Sequence, residues 1–183
     1  MLKTYPKMKL NLKKSYPWFL ERKEKMRIIG KSIELVKEDL NNEQLIPAFW
    51  SQCFQDGTFA QLVEMDESSR KGCFGLFCNH QDKTKIKYML GVISSCQNDH
   101  YETYTLPHAT WAVFECCGRM PQAIQDGWRY LEQEWFAEYP FQHAGYPEME
   151  WHSQGNGFSD NYLSEIWIPI IEEENENGSF GLL

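Results

Sequence analysis

The chain has no long apolar segment, and this absence excludes several classes of protein. No uninterrupted apolar run among its 183 residues approaches the roughly 20 residues of a membrane-spanning helix. The first residues also contain no apolar block of the kind that a signal peptide requires. We therefore expect a soluble, cytoplasmic protein with no membrane partner.

Disulfide and metal patterns are also missing, although the chain has six cysteines. There is no Cys-x-x-Cys pair, and Cys116 and Cys117 are adjacent, which suits a disulfide framework poorly. The closest candidates for a zinc site are Cys73, Cys78 and His80, but no second ligand pair stands at finger spacing. We therefore predict reduced cysteines, no metal site and no cofactor.

Positive charge is scarce outside one end of the sequence. Residues 1–25 carry eight Lys or Arg and two Glu, whereas the remaining residues carry 10 basic and 24 acidic groups. An acidic body repels phosphate, and the basic arm is too short for a helix-turn-helix domain, so direct DNA binding is disfavoured. The predicted organisation is a basic extension over residues 1–25, one ligand-binding domain over residues 26–171 and an acidic tail over residues 172–183.

Aromatic residues are abundant by contrast. They make up 15% of the chain, with seven Trp and nine Tyr, in a composition otherwise close to globular averages. This is more ring surface than a core of this size needs, and it indicates an aromatic-lined site.

Two halves of the chain show the same order of elements. In the first half, residues 26–36 have a strand pattern, a helix can begin at Pro47 and break near Gly57, and residues 73–78 and 85–94 resemble strands. The second half repeats this order with a strand over 101–117, a helix after Pro121, and strands over 145–151 and 162–171. We predict an α+β fold of two strand-helix-strand-strand repeats related by a pseudo-twofold axis, with a concave antiparallel sheet, two main helices and a central cleft.

Four segments resemble one known family. Residues 162–170, YLSEIWIPI, look like the closing strand of the GyrI-like small-molecule-binding domain, which also forms the effector-binding part of some AraC- and MerR-type multidrug regulators. Residues 88–92, residues 106–114 and the Glu134-Trp135 pair match the family in the same order. The chain departs from the family pattern at Trp111, where Tyr is common, after Trp135, and at His152, where the family tends to have an aromatic residue.

The last strand carries the candidate counter-charge. Leu163, Glu165 and Trp167 share one face of a strand, opposite an apolar face that packs in the core. A carboxylate beside Trp167 inside a cleft would be partly desolvated and would favour a bound cation. An exposed strand glutamate without a partner is the alternative that spacing alone leaves open. The resemblance favours a cleft, and the ligand-binding residues that we predict are Glu165, Trp167, Trp135, Tyr88, Trp50 and Trp111.

Three functions compete at this point. We favour a stand-alone domain that binds amphipathic, often cationic, aromatic small molecules, as a multidrug receptor or sequestering protein. The resemblance also implies a possible hydrolase of cyclopropane-containing electrophiles, in which Glu165 and Tyr88 would be catalytic. A third function is protein interaction of the gyrase-inhibitor type, with an unknown partner. No Ser/His/Asp, Cys/His or phosphate-loop motif supports a different enzyme class.

Overall fold

Two successive repeats of strand, helix, strand and strand make up most of the structure, a computed structural model that describes residues 16–79 and 81–172. The first repeat consists of β2 (Met26–Val36), α1 (Asn42–Gln55), α2 (Thr58–Met65), β3 (Gly72–Cys78) and β4 (Lys85–Ile93). The second consists of β6 (Ala109–Cys117), α3 (Gln122–Tyr130), a π-helical turn (Leu131–Trp135), α4 (Phe136–Glu138), β8 (Met149–Ser153) and β9 (Leu163–Glu172). Three further strands are β1 (Trp18–Lys23), β5 (Glu102–Leu106) and β7 (Phe141–His143). The predicted α+β double repeat is confirmed.

All strands join one antiparallel sheet. Its order is β1-β6-β9-β8-β3-β4-β2-β5, and β7 pairs with β9. The repeats meet where β3 pairs with β8, which places Gly75 opposite Glu150 and Phe74 opposite Trp151. Because paired residues point to the same side of a sheet, this central pair sets which side chains from the two repeats share a face.

The two faces of the sheet are covered differently. The helices pack on one face, here called the helix face, where α1 and α2 bury Tyr88 and Leu90 while α3 and the π-helical turn bury Phe114 and Ile166. The opposite face carries Phe74, Trp111, Trp151 and Trp167, all buried. Here it is called the curled face. Its rings contact one another across strands, as between Phe74 and Trp167, because the sheet curls strongly.

Local sequence explains where the elements differ from the prediction. Helix α1 begins a turn before Pro47, because the backbone N–H of Leu45 bonds to the carbonyl of Asn41. Gly57 ends this helical segment as predicted, with a left-handed φ of 81° that favours glycine. The strand expected over residues 101–117 is divided into two strands, β5 and β6. Strand β5 ends at Leu106 and pairs with β2, whereas β6 pairs with β9, so the chain crosses the sheet between them.

Part of the predicted basic extension belongs to the sheet. Trp18–Lys23 forms β1, which pairs along β6, and the Trp18 ring lies edge-on to the rings of Trp135 and Tyr139. The sheet therefore begins ahead of Met26, because Trp18 has apolar partners on the helix face. Glu172, the first residue of the predicted acidic tail, is the last residue of β9. Residues 1–15 and 173–183 lie outside the described residues. Across the part of the chain that the structure describes, no helix is both long and apolar enough to span a membrane.

Candidate functional site

Glu165 lies in a cavity on the curled face. The alternation of β9 directs Glu165 and Trp167 to this side, as predicted. The cavity has a volume of about 390 Å³, and its lining residues come from β1, the loop before β3 and the four strands β3, β4, β8 and β9. Its lining residues are Phe19, Glu21, Lys23, Ser68, Ser69, Arg70, Phe74, Ile93, Trp151, Glu165 and Trp167.

The charge of Glu165 already has a partner in the protein. Its side chain is fully buried, and Oε1 lies 2.5 Å from Nη1 of Arg70, while the Trp167 indole N–H donates a hydrogen bond to Oε2 at 2.8 Å. The Arg70 guanidinium also stands over the Trp151 ring, 4.9 Å from its centroid. The ion pair and the cation–π contact that a ligand cation would make are thus made by Arg70 itself.

A second cavity lies on the helix face, where the two repeats meet. It has a volume of about 380 Å³ and is called the groove from here on. The groove is flanked by α1 on one side and α3 on the other, and its floor is the central β3–β8 pair. It is lined by Ile46, Gly75, Phe77, Tyr88, Trp128, Glu132, Glu148, Met149 and Glu150. Three of these residues carry a carboxylate and none is Lys or Arg, so the groove is negatively charged.

Glu150 is the carboxylate on the floor of the groove. The Trp128 indole N–H donates to its Oε1 at 2.6 Å, and Nε2 of His152 lies 3.5 Å from Oε2. Burial acts to raise the pKa of Glu150, but the contacts with His152 and Trp128 outweigh it and hold the pKa below its usual range. Glu150 is therefore ionised at neutral pH. It lies beside the Trp128 ring, and no Lys or Arg is among the described residues that line the groove.

Tyr88 forms the opposite wall of the groove, and Trp50 supports it through a hydrogen bond. The Trp50 indole N–H donates to the Tyr88 hydroxyl at 2.8 Å, and burial raises the pKa of Tyr88 well above its usual range. The hydroxyl passes over Gly75, where a Cβ would lie only 2.2 Å from it. A residue without a side chain is thus required at position 75 to seat the tyrosine in the groove.

The structure divides the six predicted ligand-binding residues between different places. Glu165 and Trp167 line the cavity on the curled face, and Trp111 is fully buried beside Trp167. Tyr88 lines the groove and Trp50 bonds to it, so Tyr88 and Glu165 lie on opposite faces of the sheet and do not share a cavity.

Trp135 lies in neither cavity. It is fully buried in the helix-face core and stacks on Phe141 at 5.5 Å. The apolar stripe along α3 is the sequence signal that accounts for this position, because a helical stripe is usually core.

Sequence reasoning missed Glu150 and Trp128 as site residues. Trp128 belongs to the same stripe that fills the core, and only its half-buried position at the edge of α3 directs its N–H to Glu150. Glu150 alternates with Met149 and Trp151 on β8, which predicts the face opposite to theirs. Nothing in the sequence of β8 shows that Glu150 is paired with Gly75, which has no side chain.

The candidate zinc ligands do not converge. Cys73 packs on the helix face and Cys78 on the curled face, because five positions along a strand reverse the direction of the side chain. His80 lies outside the described residues. In residues 16–79 and 81–172, no three His, Cys, Asp or Glu side chains are grouped so that they could hold a metal ion.

The fold defines an α+β domain made of two strand-helix-strand-strand repeats, with an acidic, aromatic groove between them. The model of the Cass2 family, integron-associated effector binding protein, matches residues 20–170, and the chain belongs to this family. The predicted GyrI-like relationship is thereby confirmed. A comparison with proteins of curated function finds no match.

Solved structures of other proteins share this fold. SAV2435, solved with tetraphenylphosphonium, is 24% identical with a TM-score of 0.74, over 85% of this chain and 94% of that one. A Staphylococcus aureus MU50 protein assigned to transcription regulation is 25% identical with a TM-score of 0.70, over 85% and 99% of the two chains. The integron cassette protein VCH_CASS2 from the mobile metagenome of Vibrio cholerae is 16% identical with a TM-score of 0.58, over 84% and 95%.

Proposed function

We propose that this protein binds amphipathic, cationic aromatic small molecules in the groove between its repeats, with Glu150 as the counter-charge. One observation carries the proposal. The ionised carboxylate of Glu150, bonded to the Trp128 indole, lies in a groove that has no Lys or Arg among its described lining residues. A protein of this kind would act as a receptor or a sequestering protein for lipophilic cations.

The two cavities differ in what a cation would gain. In the groove, Glu132, Glu148 and Glu150 supply negative charge with no Lys or Arg among the described lining residues, and the Trp128 and Tyr88 rings offer apolar surface. On the curled face, a ligand would first have to displace Arg70 from Glu165 and from the Trp151 ring. The electrostatic balance therefore favours Glu150 over Glu165 as the ligand's partner, although both carboxylates are beside tryptophan.

Tetraphenylphosphonium is a suitable probe, because SAV2435 shares the fold and was solved with it. We expect micromolar binding, about −8 kcal/mol. Glu150→Gln keeps the shape of the side chain and an acceptor for the Trp128 N–H, but removes the charge. Since the Glu150 side chain retains 31% exposure, water screens the pair, and we expect a loss of roughly tenfold to thirtyfold in affinity.

The matched control is Glu165→Gln, the same change on the other face. We expect it to leave the affinity for tetraphenylphosphonium within about twofold of the parent, because the ligand does not reach the curled face. Isothermal titration of the three proteins decides between the sites. Equal binding by Glu150→Gln and the parent, with a loss in Glu165→Gln, would move the site to the curled face as the sequence predicts.

The hydrolase alternative now requires a different pair of residues. Glu165 and Tyr88 are separated by the sheet, so a strained electrophile in the groove would meet Glu150 and Tyr88 instead. Turnover of a cyclopropane-containing aromatic electrophile by the parent, lost in Glu150→Gln while the compound still binds, would establish hydrolysis. Gyrase inhibition and a cytoplasmic location stay predictions.

A further inference from the structure

His152 is the nearest titratable neighbour of Glu150. It lies two residues further along β8 on the same face, and its side chain is only 9% exposed. The edge of the Trp50 ring packs against the imidazole, with the ring centroids 4.7 Å apart and the planes at 65°. The imidazole is therefore held in place between the Trp50 ring and the carboxylate of Glu150.

The contact between His152 and Glu150 is incomplete. Nε2 of His152 lies 3.5 Å from Oε2 of Glu150 but makes no aligned hydrogen bond, and it has no other hydrogen-bond partner within residues 16–79 and 81–172. A buried ring nitrogen without a partner is costly, and protonation of the imidazole would turn this contact into an ion pair. The geometry thus allows two charge states of the same two residues.

The other groups around His152 keep a constant charge near neutral pH. Its paired neighbours on β3 and β9 are Cys73 and Ser164, and burial raises the pKa of the Cys73 thiol well above its usual range. Tyr88, which bonds to Trp50 behind the imidazole, is likewise neutral.

The rim of the groove contains further charges. Glu132 and Glu148 add negative charge, and Nε2 of His143 lies 3.2 Å from Oε1 of Glu148. The His143 and Glu148 side chains are 33% and 46% exposed, so water screens their interaction more strongly than that of His152 with Glu150.

We propose that His152 determines the charge specificity of the groove. When the imidazole is neutral, the charge of Glu150 pairs with a bound cation, and the groove selects cationic aromatic ligands. When the imidazole is protonated, it becomes the counter-ion of Glu150, and the groove then takes neutral aromatic ligands almost as well. This inference rests on the proposed function and names the residue that tunes it.

The test compares a cation with a neutral molecule of similar shape. Affinities of the parent for tetraphenylphosphonium and for triphenylphosphine oxide are measured at pH 8.0 and pH 5.5, an interval in which histidine ordinarily changes charge (about pH 5 to 8). We expect the preference for the cation to fall about tenfold on acidification. In His152→Gln the preference should be nearly equal at both pH values, whereas His108→Gln, an exposed histidine outside the groove, should keep the parent's response.

A measurement without ligand tests the pairing separately. The imidazole of His152 is titrated by NMR in the parent and in Glu150→Gln, and we expect a lower midpoint in the variant because the carboxylate no longer favours the protonated ring. An unchanged midpoint, or a cation preference that does not depend on pH in the parent, overturns the inference.

The failure of the proposed function would look different. Absence of tetraphenylphosphonium binding at pH 8.0 contradicts that function and, with it, the specificity role of His152, whatever the imidazole titration shows. Binding that depends on Glu150 at pH 8.0 but has a flat pH profile keeps the function and rejects only the role of His152.

Discussion

Replacement of Arg70 by alanine should destabilise the protein more than replacement of its partner. Arg70→Ala leaves the carboxylate of Glu165, which is fully buried, without its counter-charge and removes the guanidinium from the Trp151 ring. Glu165→Gln instead leaves a neutral amide whose oxygen still accepts the Trp167 N–H, while the arginine turns towards water. The two halves of one ion pair are therefore expected to have unequal effects.

The size of the effect follows from exposure. Loss of one partner from a buried ion pair costs about 3 to 5 kcal/mol. The Arg70 side chain is 43% exposed, so water compensates part of this loss, and we expect the free energy of unfolding to fall by about 2 kcal/mol. For Glu165→Gln we expect the free energy of unfolding to fall by about 1 kcal/mol, because the hydrogen bond from the Trp167 N–H is kept but weakened when its acceptor loses its charge. In a protein of this size, 2 kcal/mol lowers Tm by roughly 4 to 8 °C.

Urea unfolding of the two single variants and the double variant measures these values. The double variant should be no less stable than Arg70→Ala, since the uncompensated charge is then absent. Arg119→Ala is the matched control: Arg119 bonds to Asp160 at 2.6 Å, but both side chains are mostly exposed, and we expect at most about 0.5 kcal/mol. An Arg70→Ala variant that is as stable as Arg119→Ala would refute the reasoning, because Glu165 would then be solvated without its partner.

Two further outcomes concern the groove and the acid range. Gly75→Ala places a Cβ 2.2 Å from the Tyr88 hydroxyl, so we expect a loss of about 1 to 3 kcal/mol in stability and weaker tetraphenylphosphonium binding, whereas Gly157→Ala, with 3.7 Å of room, should change neither. Unchanged ligand affinity in Gly75→Ala would show that Tyr88 is not part of the site. Hydrogen bonds from Thr58 hold the pKa of Asp56 at about 2, below its usual 3.8, so the stability that they contribute is present above pH 4 and lost as the pH falls towards 2. Acid titration should therefore show a shallower loss of stability in Asp56→Asn, and an identical acid limb would contradict the assignment.

Local patterns were sufficient for the repeat and for the direction of many side chains. Alternation along β9 predicts that Glu165 and Trp167 share a face, and it is right because a strand reverses its side chains at every residue whatever packs around it. Glycine at position 57 likewise predicts the end of a helical segment from its own conformational freedom. These are properties of a few consecutive residues, so a sequence contains them in full.

The identity of the partners was decided only by the tertiary structure. Arg70 and Glu165 are 95 positions apart, and Glu150 meets Gly75 because β8 happens to pair with β3. Aromatic content predicts an aromatic site, but the register of the central strands determines that Tyr88 lines the groove with Glu150 while Glu165 faces the other way. Charge compensation depends on distances of a few ångströms between residues from different repeats, and alternation or composition along one segment does not contain that information.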